Sequence, residues 1–173
     1  MANFKEDLAK IKAFIFDIDG VLSLQTISLN TFGVPNRTVN LRDGYALQLA
    51  VKKGYHVCII SGSNSKEYLR RLKSLGVTEI YLNSRAKLDH YLSFRKRHNL
   101  NDSDILFMGD DIPDFKVMKQ AGVAVCPSDA DSEIKQVASY ISDKKGGEGC
   151  VRDVIEQVLR LHNNWMDTDA FAW

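Results

Sequence analysis

Four short runs, 13–16, 57–60, 105–108 and 123–126, are apolar at every position, and each is followed at once by Asp, Ser, Gly or Pro. Strands this short and this apolar are covered on both faces, which is the condition of a parallel sheet between helices. Stretches with helical character at 45–53, 65–75, 87–98 and 113–121 separate or flank these runs, and Gly54, Gly76 and Gly122 close three of them where a helix C-terminus favours glycine. Pro113 suits a first helical turn. The alternation predicts an α/β fold, a doubly wound, Rossmann-like parallel sheet, with residues 80–82 as a fifth strand.

Towards the C-terminus, Val151, Val154, Ile155, Val158 and Leu159 recur at the spacing of an amphipathic helix, preceded by the glycine-rich loop Gly146-Gly147-Glu148-Gly149. Residues 22–41 break the pattern. Leu22, Leu24, Ile27 and Leu29 alternate before the turn signal Gly33-Val34-Pro35-Asn36, which predicts a β-hairpin insertion after the first strand. No stretch is large enough for a second domain, so residues 1–173 read as one domain.

Composition removes several functions. A formal net charge of +1 with no long basic run gives no reason to expect a nucleic-acid or membrane partner. No stretch approaches the roughly 18 apolar residues of a membrane span, and the first ten residues are too charged for a signal peptide, so a cytoplasmic location is expected. Cys58, Cys126 and Cys150 are odd in number and widely spaced, against a disulfide framework or a zinc site. The aromatics of the tail from Trp165 to Trp173 are assigned no function.

Ligands of open α/β sheets bind beyond the carboxyl ends of the strands. Those ends carry Asp17 and Asp19 within Asp17-Ile18-Asp19-Gly20, then Ser61-Gly62, then Gly109-Asp110-Asp111 with Asp114 following, while Lys87 opens a helix. Asp17 and Asp19 sit one residue apart on an extended chain, so they share a face, an arrangement that calls for a cation or a shared proton. Carboxylates in this number suit a hard cation such as Mg2+, which takes oxygen ligands and keeps several waters.

In this order the motifs resemble those of the haloacid dehalogenase superfamily of phosphatases over nearly the whole chain. The resemblance implies that Asp17 is the nucleophile that forms an aspartyl phosphate. Asp19 is then the general acid, which must hold a proton when substrate arrives, and afterwards the base that activates water. Asp17, the main-chain carbonyl of Asp19 and Asp110 would ligate Mg2+; Ser61, Gly62 and Lys87 would hold the phosphoryl oxygens, with Asp111 and Asp114 orienting Lys87 and the metal ligands.

The insertion is too small for a cap domain, so the chain resembles the capless branch, whose members form homotetramers in which neighbouring subunits cover the active site. Within that branch, residues 40–45 and 146–153 resemble phosphatases of phosphorylated keto-deoxy sugars. The implied reaction is hydrolysis of 3-deoxy-D-manno-octulosonate 8-phosphate (Kdo 8-phosphate) for lipopolysaccharide biosynthesis. Arg42 and Arg152 are then candidates for the substrate's anionic groups, since guanidinium suits bidentate anion binding. Ser63 and Asn64 stand where an arginine usually follows the serine and glycine, which leaves a nine-carbon 2-keto-3-deoxy sugar 9-phosphate (nonulosonate) as the alternative substrate. A non-hydrolytic receiver-like domain or a silent regulatory subunit is the alternative of another class; a receiver needs no general acid at Asp19, and the intact motifs argue against a silent subunit.

Overall fold

The computed structural model describes residues 4–172, leaving residues 1–3 and Trp173 outside it. The strands are β1 (Ala13–Phe16), β2 (His56–Ile60), β3 (Glu79–Tyr81), β4 (Ile105–Met108), β5 (Val123–Cys126) and β6 (Tyr140–Ile141). All pair in parallel, in the order β3-β2-β1-β4-β5-β6. The helices are α1 (Phe4–Leu8), α2 (Leu41–Lys52), α3 (Lys66–Ser74), α4 (Lys87–Arg97), α5 (Phe115–Gln120), α6 (Ser132–Val137) and α7 (Cys150–Leu161).

Successive strand residues feed opposite faces of the sheet. Phe14, Phe16, Val57, Ile59, Leu106, Met108, Val123 and Val125 pack with residues of α2, α3 and α7. Ala13, Ile15, Cys58, Ile60, Ile105, Phe107, Ala124 and Cys126 pack with residues of α4, α5 and α6 on the other face. Strands sandwiched in this way need no polar alternation, which is why they read as unbroken apolar runs. All three cysteines are free and buried. Among the described residues, no helix is long and apolar enough to cross a membrane.

The structure departs from the sequence expectations at several places. Helix α2 starts at Leu41 rather than Tyr45, because the Asn40 side chain accepts hydrogen bonds from Arg42 N–H (2.9 Å) and Asp43 N–H (3.3 Å) and caps it. The stretch begun by Pro113 splits into a 3₁₀ turn, Ile112–Asp114, and α5.

The β-hairpin expected over 22–41 does not form a strand ladder. Its arms meet at a single antiparallel bridge between Leu29 and Pro35. Pro35 lacks an N–H for a ladder, and the Asn30 side chain accepts instead from Phe32 N–H (2.9 Å) and Val34 N–H (3.0 Å), competing with strand pairing. The tail packs back on its own domain: Trp165 is buried edge-on to Tyr45, and Lys53 is paired with Asp167 and Asp169.

The glycine-rich loop before α7 lies directly on the turn after β1. A Cβ at Gly146 would fall 1.9 Å from the Gly20 carbonyl oxygen, and one at Gly147 would fall 2.6 Å from Leu24 N. Gly147 N–H donates to the Val21 carbonyl at 2.7 Å. Gly146→Ala is therefore expected to force two backbones apart and destabilise the fold by about 2–3 kcal/mol, which thermal unfolding would register as a Tm loss on the order of 5–10 °C.

Candidate active site

From β1 the chain steps to β2 on one side, and from β4 to β5 on the other, so the direction of winding reverses between the adjacent strands β1 and β4. A crevice opens at such a reversal, beyond the strand ends. Asp17 follows β1, its N–H donating to the Met108 carbonyl at 3.1 Å, and Asp110 lies just beyond β4. Gly20 turns the chain with φ of 79°, and a Cβ there would lie 1.9 Å from Asp110 Oδ2. Only glycine permits that approach of the first loop to the second. The resulting cavity of about 760 Å³ is lined by Asp17, Asp19, Ser61, Gly62, Lys87, Asp110, Asp111 and Asp114 together with residues discussed below.

Lys87, at the N-terminus of α4, is buried and donates to Asp17 Oδ2 at 2.6 Å and Asp114 Oδ1 at 2.7 Å. Burial by itself would lower the ammonium's pKa, but Asp17 and Asp114 together raise it, so Lys87 stays charged. Asp114 also accepts from Asp110 N–H at 3.2 Å, tying the loop after β4 to the lysine. The remaining Asp17 oxygen, Oδ1, accepts from Ile18 N–H at 2.6 Å.

Asp17, Asp110 and Asp114 are all buried, and each offers a carboxylate oxygen within 4.8 Å of the others. One lysine does not balance three buried carboxylates. Burial, reinforced by Asp17 and Asp114, pushes Asp110 up to about 8. Burial and Asp17 likewise push Asp114 up to about 6, against the opposing pull of Lys87. Asp110 Oδ2 accepts from Gln25 Nε2 at 3.2 Å, whereas its buried Oδ1 has no hydrogen-bond partner. An unpartnered oxygen among acids that resist ionisation fits a divalent cation.

Asp19 lies apart from that carboxylate cluster. Its side chain is partly exposed, and both oxygens are gripped by Arg37, Nε to Oδ1 at 2.7 Å and an Nη to Oδ2 at 2.8 Å. Ser61 is buried, with its hydroxyl accepting from Ser63 N–H at 3.2 Å.

Three expectations change. Asp111 does not reach Lys87; its carboxylate accepts from Ile112 N–H at 2.8 Å and caps the short turn that follows. Arg42 is exposed on the first turn of α2 and lines a separate shallow groove with Val39 and Glu148. Arg152 stacks over Trp165 (5.1 Å) and Tyr45 (5.8 Å) and donates to Glu156, so packing of α7 on α2 and the tail holds it away from the cavity. Gln25, Arg37, Ser84 and Arg85 were not foreseen, whereas Ser63, marked in the sequence for its bearing on the substrate, does line the cavity. Gln25 and Arg37 lie in the irregular insertion, where no periodicity marks a residue; Arg85, two positions before Lys87, was the more accessible signal.

The haloacid dehalogenase-like hydrolase family matches residues 76–155. The 3-deoxy-D-manno-octulosonate 8-phosphate phosphatase of Yersinia pestis is 32% identical over 87% of this chain and 81% of its own length. That of Escherichia coli K12 is 32% identical over 86% and 79%. The solved structure of the Moraxella catarrhalis 3-deoxy-D-manno-octulosonate 8-phosphate phosphatase, a complex with magnesium ion, phosphate ion and KDO, superposes with a TM-score of 0.90 at 33% identity, covering 99% of this chain and 97% of that one. With a relative this similar along most of both chains, and a fold that agrees throughout, the chain belongs to the 3-deoxy-D-manno-octulosonate 8-phosphate phosphatase family of the haloacid dehalogenase-like hydrolases.

Proposed function

We propose that the chain is a magnesium-dependent phosphatase that hydrolyses Kdo 8-phosphate to Kdo and phosphate in lipopolysaccharide sugar biosynthesis, through an aspartyl phosphate on Asp17. The observation that carries this reading is the convergence of Asp17, Asp110 and Asp114 on one buried point with Lys87 bridging Asp17 and Asp114. Family membership removes the receiver-like reading, and the full set of acids speaks against a silent subunit.

In the first half-reaction a carboxylate oxygen of Asp17 attacks phosphorus, and the sugar oxygen leaves with a proton from Asp19. In the second, Asp19 takes a proton from water as that water attacks the same phosphorus, releasing phosphate and restoring Asp17. Lys87 holds Asp17 in place through its 2.6 Å hydrogen bond, and with Ser61 and the Gly62 amide offsets charge on the phosphoryl oxygens. Asp17, Asp110 and the Asp19 main-chain carbonyl would hold Mg2+, with Asp114 beside them. The ion supplies positive charge that lets two anions approach.

A second reading, a nonulosonate 9-phosphate, draws on Ser63: a small side chain on the cavity wall leaves room for a longer sugar. The exposed Leu29, Phe32, Val34, Val39 and Leu41 on or beside the insertion support a homotetramer packed through this segment and covering neighbouring cavities. Phe32 is 88% exposed, an unusual state for so large an apolar ring. Free, buried cysteines and a charged sugar phosphate substrate support a cytoplasmic setting.

Phosphate release from a panel of keto-deoxy sugar phosphates tests the reaction. Kdo 8-phosphate should give the highest kcat/KM, chelation should abolish turnover, and Asp19→Ala should lower kcat about 10²–10⁴-fold; better turnover of a nonulosonate 9-phosphate would move the assignment. Phe32→Asp should shift the mass in light scattering towards monomer and lower kcat/KM.

The metal leaves a separate signature in stability. Because Asp110 holds its proton up to about pH 8 in the folded, metal-free chain but only to the ordinary carboxylate range when unfolded, the folded state binds more protons in between. The metal-free protein should therefore lose stability as pH rises from about 4 to about 8. Asp110→Asn should weaken that slope and stabilise the metal-free protein at pH 8 by on the order of 1–3 kcal/mol, while added Mg2+ raises Tm only in the unsubstituted protein.

A further inference from the structure

One wall of the cavity is made of two loops stitched together. Asn83 N–H donates to the Ser63 carbonyl at 2.9 Å and Ser84 N–H to the Ser61 carbonyl at 3.0 Å, so the loops after β2 and β3 form one surface. Ser63, Ser84 and Arg85 line the cavity from that surface. Ser63 and Ser84 are only 8% and 6% exposed, and neither hydroxyl has a hydrogen-bond partner. A buried hydroxyl with no partner is costly, and a ligand able to pair with it removes the cost.

Charge singles out Arg85 in the same wall. Seven aspartates line the cavity, and Lys87 and Arg85 are the cations among its lining residues. Lys87 is committed to Asp17 and Asp114, and nearby Arg37 to Asp19. Arg85 is exposed and makes no ion pair or hydrogen bond among the described residues. Arg85 is thus the lining cation left to meet an anionic group that enters this cavity away from Lys87.

The substrate of the proposed reaction is anionic at two ends. Its phosphate must lie by Asp17 and Lys87, which leaves the sugar-acid carboxylate to be met elsewhere. We propose that Arg85, with the Ser63 and Ser84 hydroxyls, binds this carboxylate and determines the preference for phosphorylated sugar acids over neutral sugar phosphates. The assignment rests on the proposed function for the identity of the sugar, though not for the charge it recognises. A guanidinium suits the task because it meets a carboxylate with two parallel N–H donors.

The test compares kcat/KM for two pairs of phosphate monoesters, each pair differing by one carboxylate: Kdo 8-phosphate against its carboxyl-reduced analogue, and 4-carboxyphenyl phosphate against phenyl phosphate. In the unsubstituted enzyme the carboxylated member should be preferred. Arg85→Ala should reduce that preference about 30-fold, mainly through KM; Arg85→Lys should restore part of it. Returning a guanidinium on the neighbouring loop, as Arg85→Ala with Ser63→Arg, should restore part as well, which a purely structural role for Arg85 would not allow. A preference in Arg85→Ala within about threefold of the unsubstituted value overturns the proposal. If Kdo 8-phosphate is not a substrate, the sugar assignment fails, whereas an Arg85-dependent preference within the aryl pair still upholds the carboxylate site.

Discussion

The Lys87 ammonium is the interaction on which this site depends. It reaches from the start of α4 to Asp17 beyond β1 and Asp114 beyond β4, fastening three segments of the chain at a point where water is nearly excluded. A lone ammonium in such a place would be driven to lose its proton, and lone carboxylates to gain one. The acids keep Lys87 charged, yet one cation against three acids leaves the cluster short of positive charge. The fold therefore stores an electrostatic deficit where a metal ion and a phosphoryl group are to be accommodated, and the sheet around it is apolar and tightly packed enough to bear that strain.

The other groups fall on two kinds of support. Ser61, Gly62 and the wall formed by Ser63 to Arg85 are carried on loops bonded to each other directly above the strands. Gln25 and Arg37 come from an insertion with almost no regular structure, and reach in to touch Asp110 and Asp19. Chemistry at phosphorus is thus built on the rigid sheet. The contacts made to Asp19 and Asp110 by Arg37 and Gln25 are built on the irregular segment.

Much of this was legible in the sequence for a single reason. Strands buried on both faces cannot hide their character, so β1, β2, β4 and β5 stood out, and residues following β1, β2 and β4 line the cavity. β6 escaped because it is two residues long and only half-buried at Tyr140. The insertion misled because Leu22, Leu24, Ile27 and Leu29 alternate like a strand; Leu22 is buried under the sheet while Leu29 points to solvent, so the alternation did not signal one ladder. Arg42 and Arg152 carried the right chemistry for anions, but their positions are set by helix α2 and by aromatic stacking, neither of which sequence spacing reveals. The grip of Arg37 on Asp19 links positions 18 residues apart through an irregular loop, a contact that follows no period.

The close fit of Gly146 and Gly147 over Gly20 and Leu24 has a temporal consequence. The acidic turn at residues 17–20 is synthesised well before residues 146–147 that buttress it, so the nascent polypeptide carries those acids, while the intervening chain is made, without the segment that holds them in place. Assembly of the acidic turn is thereby deferred until the 146–147 loop has been made, and fragments that stop short of that loop inherit the acids without the frame that packs on them.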